Sequence, residues 1–130
     1  MIVADTNLIA YLTISGEYTE AAERILLDDP DWVAPPLWHS EYRNLVAVLA
    51  RAKTITMAQA RGFVRRAEEW MTERQREVDS EVVLDCIEES KLSAYDCEFI
   101  ALARQLRVPL ITADRRLVKA FPSIARLLVR

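Results

Sequence analysis

Asp5, Glu41, Asp96 and Asp114 are the residues whose types and positions could do chemistry. Asp5 ends an apolar run, Met-Ile-Val-Ala, and is followed by Thr6 and Asn7 before an apolar helical pattern resumes at Leu8. In a parallel α/β sheet the residue leaving the first strand is aimed at the crevice outside the strands' carboxyl ends, where ligands collect. Glu41 stands early in the segment opened by Pro35-Pro36, and at 100° per residue it shares a face with Trp38, Leu45 and Val48. A carboxylate buried without a partner costs several kcal/mol, and no Lys or Arg sits at the helical offset that would supply one. The plain structural explanation is a first-turn Glu favoured by the helix dipole.

Asp96 and Asp114 have ordinary explanations too. Ser93-Ala-Tyr-Asp96 reads as a capping box for a helix running through Phe99, Ile100 and Ala103. Asp114 follows the apolar strand ending at Thr112-Ala113 and precedes Arg115-Arg116-Leu117, where an N-cap Asp is unremarkable. Capping does not explain why all four acids come just after a strand or at the opening of a helix, and so at one end of a parallel sheet. Four carboxylates converging there raise one another's pKa unless a cation compensates. Oxygen ligands without His or Cys select Mg²⁺ or Mn²⁺ over zinc or copper. Such an ion lowers the pKa of a bound water and stabilises charge on a phosphodiester's leaving oxygen, so the predicted chemistry is metal-assisted phosphodiester hydrolysis.

The elements that must position these acids alternate between strand and helix patterns. Strands are expected at Ile2–Ala4, Trp32–Ala34, near Glu77–Asp79, at Pro109–Thr112 and at Ile124–Val129. Helices are expected over Leu8–Thr13, Tyr18–Leu27, Leu37–Ala52, Thr56–Arg76, Ser80–Glu89, Ser93–Arg107 and Asp114–Phe121. Repeated β-α alternation with apolar strands predicts a three-layer α/β/α fold with a mostly parallel central sheet. No repeat, linker or low-complexity segment interrupts the 130 residues, so a single domain spanning 1–130 is expected.

Composition narrows the function classes. A hydrophobic content of 52% is ample for one core, and no apolar run approaches a bilayer span. With no basic leader or cleavage site, a cytoplasmic protein is expected. Cys86 and Cys97 lie among apolar neighbours without a Cys-x-x-Cys spacing, which predicts free buried thiols. His39 is the only histidine, which excludes Ser-His-Asp, Cys-His and multi-histidine metal schemes. The net charge of −3 argues at first against a polyanionic partner. The basic residues are nonetheless mostly Arg, whose planar fork suits phosphate, and bound cations would offset several acids.

Taken in order, Val-Ala-Asp5-Thr6-Asn7, Glu41 in the Pro-initiated helix, Tyr95-Asp96-Cys97-Glu98-Phe99-Ile100-Ala101-Leu102-Ala103 and Leu110-Ile111-Thr112-Ala113-Asp114 resemble a PilT N-terminus (PIN) domain ribonuclease. The pattern covers essentially the whole chain and is similar to the toxins of VapBC toxin–antitoxin pairs. The resemblance implies that Asp5, Glu41, Asp96 and Asp114 are the catalytic, metal-binding acids, with Thr6, Asn7 and Thr112 as supporting polar residues that orient ligands or water. It further implies a PIN-like fold, Mg²⁺- or Mn²⁺-dependent endoribonuclease activity on RNA, a homodimer, and a cognate antitoxin that holds the toxin inactive. Cys97 departs mildly from the Ala common at its position, and the fourth acid varies most within the family. Glu98 is expected to face solvent, turned away from Asp96.

Other readings stay open. Asp28-Asp29-Pro30-Asp31 matches an acidic site only in composition and reads as a solvated helix stop. A phosphoaspartate enzyme would want a second acid where this chain has Asn7, and a receiver-type phosphoacceptor an acidic pair beside the first strand; neither explains Glu41. The chain could be a stand-alone PIN nuclease without an antitoxin. It could also be a catalytically silent module that binds a partner through the amphipathic Thr56–Arg76 helix, with core packing the plainer account of that helix. Trp38 and His39 stand near the proposed mouth, with Trp38 expected in the core. Nothing in the sequence names an RNA target.

Overall fold

The strand segments Ile-Val-Ala, Trp-Val and Leu-Ile-Thr bury every residue, as strands covered on both faces must. A computed structural model describes residues 1–130. Its elements are β1 (Ile2–Ala4), α1 (Thr6–Thr13), α2 (Thr19–Asp28), β2 (Trp32–Val33), α3 (Leu37–Arg51) and α4 (Met57–Met71). They continue with α5 (Ser80–Glu88), α6 (Ala94–Leu106), β3 (Leu110–Thr112), α7 (Arg115–Ala120) and β4 (Ala125–Leu127). The four strands form one sheet in the order β2-β1-β3-β4, with every pairing parallel. Around it α1 gathers α2, α3 and α4, while α6 carries α5 and packs on β1 and β3. The result is the expected α/β/α architecture.

Register decides what meets at the strand ends. Val3 pairs with Leu110 and Ala4 with Ile111, so Asp5 comes level with Thr112 one step beyond the paired residues. The Asp5 amide closes this step by donating to the Ile111 carbonyl at 3.1 Å. Helix starts are fixed by side-chain caps: Asp5 for α1, Ser93 for α6, Asp114 for α7, and a reciprocal Thr56–Gln59 capping box for α4.

Two expected elements differ. The helix expected over Thr56–Arg76 ends at Met71, its last buried residue, and no strand forms at Glu77–Asp79. The chain instead makes a single parallel bridge between Gln75 and Ala34. The Ala34 amide donates to the Arg74 carbonyl and the Arg76 amide donates to the Ala34 carbonyl, both at 3.0 Å. Pairing beside β2 takes residues 74–76 out of a helix that their propensities would have extended. The α4 face carrying Ala60, Ala67 and Met71 is buried in the core, in line with the plainer account of this segment. No helix is long and apolar enough to cross a membrane. Cys86 and Cys97 are free and buried, as expected.

Candidate metal centre at the strand ends

Asp5 caps α1 by accepting from the Asn7 amide at 3.2 Å, and its other oxygen accepts from the Thr112 hydroxyl. Thr112 is fully buried, and its hydroxyl also accepts from the Asp114 amide at 3.0 Å, so a single side chain ties the end of β1 to the start of α7. Burial pushes the Asp5 carboxyl above the usual carboxylate range, while the Thr112 and Asn7 donors pull it back and the Asp114 charge adds to the rise.

Glu41 is half-buried, and its Oε1 accepts from the hydroxyl of buried Thr6 at 2.8 Å. Its environment corrects the expected helical face. The core stripe of α3 is Trp38, Tyr42 and Val46, whereas Val48 is 57% exposed, so Glu41 lies on the flank between core and solvent. Thr6, the neighbour of Asp5, satisfies it without any cation. Burial raises the Glu41 pKa, the Thr6 bond opposes the rise, and the charges of Asp5, Asp96 and Glu98 add to it. Glu98 is therefore not the solvated residue expected: it is half-buried, its carboxyl is raised by burial, and it repels Glu41.

Asp96 keeps its carboxylate out of the cap. The Ser93 hydroxyl accepts from the Asp96 amide at 3.1 Å, but the reciprocal half of the capping box is missing. The Asp96 carboxylate instead lies 3.5 Å from Nη2 of Arg116. The same Nη2 is 2.6 Å from Asp114 Oδ2, and this donation holds the Asp114 carboxyl below its usual range. Arg116 is thus the one cation among these acids, and the sequence reading missed it. The available signal was the Asp114-Arg115-Arg116 spacing at a helix start, which reads equally well as an ordinary cap.

Asp5, Glu41, Asp96 and Asp114 share one electrostatic neighbourhood, and Glu98 joins it. A cleft of about 390 Å³ opens beside it, lined by Asp5, Thr6, Asn7, Ser40, Glu41 and Asn44. Ser40 and Asn44 were not singled out from the sequence; they flank Glu41 on α3. Trp38 and His39 do not line this cleft: Trp38 is buried and bonds Gln75, and His39 pairs with Glu68 at 2.7 Å. A larger hollow of about 670 Å³ at the end of α4 gathers Asp31, Glu69, Glu73 and Arg74, an open surface of mixed charge without converging acids.

No three His, Cys, Asp or Glu side chains close tightly enough here to hold one ion among themselves. The donor set still fits a hard divalent ion. It consists of carboxylates and hydroxyls; the only imidazole pairs with Glu68, and both thiols are buried. Mg²⁺ keeps several waters and needs only one or two carboxylates, so a closed cage of protein ligands is not required.

A family model described as PIN domain matches residues 2–122. No protein of curated function matches the sequence. Among solved structures, FitAcB from Neisseria gonorrhoeae is 20% identical with a TM-score of 0.73, covering 99% of this chain and 97% of its own. PAE2754 from Pyrobaculum aerophilum is 18% identical with a TM-score of 0.75, covering 98% and 90%. A toxin–antitoxin complex from Klebsiella pneumoniae contributes a chain 18% identical with a TM-score of 0.69, covering 97% of both. At these identities the structures speak for the fold, and the match over nearly the whole sequence speaks for the family. The chain belongs to the PIN domain family.

Proposed function

We propose that this chain is a divalent-metal-dependent endoribonuclease, the toxin of a type II toxin–antitoxin pair, hydrolysing RNA phosphodiester bonds with activated water. One observation carries the reading: carboxylates from four separate segments meet at the ends of β1 and β3 with a single exposed arginine as counter-charge. Burying that much like charge destabilises a fold, and a cation-dependent activity gives it a purpose. PIN domains are generally nucleases, and a relative of the same fold occurs in a toxin–antitoxin complex.

In this reading Asp5, Glu41, Asp96 and Asp114 would hold Mg²⁺ or Mn²⁺ between them, one or two directly and the others through the ion's waters. When bound, the ion supplies Lewis-acid polarisation of the phosphate and a more acidic water. The chain's own groups do the positioning. Thr112 and the Asn7 amide fix the Asp5 carboxylate, and Thr6 fixes Glu41 through Oε1, leaving Oε2 to accept a proton from water in the cleft. Burial and the charges of Asp5, Asp96 and Glu98 raise the metal-free Glu41 pKa, a rise that a bound cation would offset. Arg116 is 67% exposed at its side chain, so it can swing from Asp96 and Asp114 toward solvent or toward a phosphate.

Incubating the purified chain with RNA and Mn²⁺, Mg²⁺ or EDTA tests the proposal. Cleavage is expected with either ion and not with EDTA. Intact RNA under all three conditions would remove it. The toxin assignment is tested separately, by whether induced expression arrests growth and co-expression of an adjacent small gene relieves the arrest.

A further inference from the structure

Next to the acidic cleft, and sharing Leu45 with it, lies a groove of about 600 Å³ between the end of α1, α3 and α4. Its size falls within the range of small-molecule sites. Leu45 and Leu49 form the α3 wall, Tyr11 and Tyr18 close one side, and Phe63 and Arg66 the other. The two tyrosine rings stack with centroids 4.8 Å apart and planes 21° from parallel. The Arg66 guanidinium lies 5.0 Å from the Phe63 ring centre and forms no ion pair, unlike Arg24, Arg104 and Arg116. Neither tyrosine hydroxyl bonds another group of the chain; the only side-chain bond to this pair is Thr19 donating to the Tyr11 carbonyl. Tyr11 is also near enough to Asp5 for that charge to raise its phenol pKa, after burial and Tyr18, so the groove and the acids are immediate neighbours.

We propose that this groove is a nucleobase subsite, taking an unpaired base of the RNA strand whose phosphodiester lies at the acids. Single-stranded RNA is recognised by splaying bases onto aromatic rings and arginine planes and bonding their edges, and this groove presents both kinds of plane with free hydroxyls beside them. The apolar leucine wall shields one side of the groove, and the unpaired Arg66 guanidinium, lying by the Phe63 ring, offers a second stacking plane. The subsite deepens the nuclease reading and depends on it for the class of substrate.

The test uses the whole chain carrying Asp96→Asn, so that bound RNA survives, with Mn²⁺ present. Fluorescence anisotropy compares short oligouridylate and oligoadenylate with the same backbones lacking bases. At least one base-bearing strand is expected to bind about tenfold or more tightly than its abasic counterpart, as one stacked base supplies. Tyr18→Leu, which keeps the apolar volume, and Arg66→Gln, an exposed change that leaves the core untouched, should each remove most of that difference while leaving abasic binding nearly as it was. A purely structural role would weaken both strands alike. Equal binding of intact and abasic strands, or a difference both variants retain, overturns the subsite. Loss of a co-expressed protein partner in these variants, with the RNA difference intact, also overturns it and assigns the groove to protein. If the chain with Asp96 restored cleaves no RNA while the base-dependent difference persists, the nuclease reading fails and the subsite stands. Cleavage without that difference is the reverse.

Discussion

Replacing Thr112 by valine keeps the side chain's volume and removes the hydroxyl that joins two of the acids' supports. That hydroxyl donates to Asp5 and accepts from the Asp114 amide, and Thr112 is fully buried, so water cannot take its place without rearrangement. A hydrogen bond to a charged group contributes about 1.5–3 kcal/mol, and an amide left without its partner adds roughly 1 kcal/mol. Thr112→Val should therefore cost about 2.5–4 kcal/mol of metal-free stability at pH 8, which for a domain of this size is a drop of roughly 10 °C in Tm. The cost should depend on pH, because the Thr112 bond favours the ionised form of an Asp5 whose pKa burial has raised. Above that raised pKa Asp5 is charged and the full cost applies. As pH falls through it, Asp5 takes a proton and the cost shrinks toward roughly 2 kcal/mol, about 1 for a neutral hydrogen bond and about 1 for the Asp114 amide still left without its partner. Urea unfolding in EDTA at pH 8 and at the lowest pH at which the protein stays folded measures both values. Thr112→Ser, which retains the hydroxyl and loses one methyl, should cost about 1 kcal/mol at both. A Thr112→Val cost below about 0.5 kcal/mol, or one equal at the two pH values, would refute the reasoning.

Glu41→Gln should stabilise the metal-free protein at pH 8 and make no difference at low pH. A carboxyl with a raised folded pKa keeps its stability below the unfolded value of about 4.3 and loses it as pH rises through the folded one, and Gln escapes that loss. Thermal melts across that window read the crossover. Arg116→Ala removes the only cation beside Asp96 and Asp114, so it should lower Tm in EDTA and raise the apparent affinity for Mn²⁺ in a melt titration. Cys86 and Cys97 are buried, with burial raising both thiols, so neither should react with Ellman's reagent until the protein is unfolded.

Strand and helix identities were legible where the hydrophobic period was clean. The runs ending at Ala4 and Thr112 and the stripe through Phe99, Ile100 and Ala103 fell where expected. The end of α4 was not legible, because Glu73–Arg76 suit a helix locally and only the distant Ala34 draws them into a bridge. For the same reason sheet order lay beyond the sequence: no local pattern sets β1 between β2 and β3. The acids stood out because each interrupts an apolar segment at an element boundary. Glu98 did not, since its position relative to Asp96 on one helix says nothing about Glu41 arriving from another. Arg116 was hidden by its plain role beside a capping Asp, and only the fold shows Asp96 approaching it from α6.

The central claim is that these converging acids hold an ion that cuts RNA, and Asp96→Asn tests it most directly. Asp96 has no part in the helix cap beyond its backbone amide, so Asn preserves size and fold while removing the charge. Circular dichroism of the variant should match that of the unmodified chain, and RNA cleavage with Mn²⁺ should fall at least about a hundredfold, the smallest loss expected when charge stabilisation is withdrawn from a reacting phosphate. A folded Asp96→Asn protein that cleaves RNA at the unmodified rate would contradict the account.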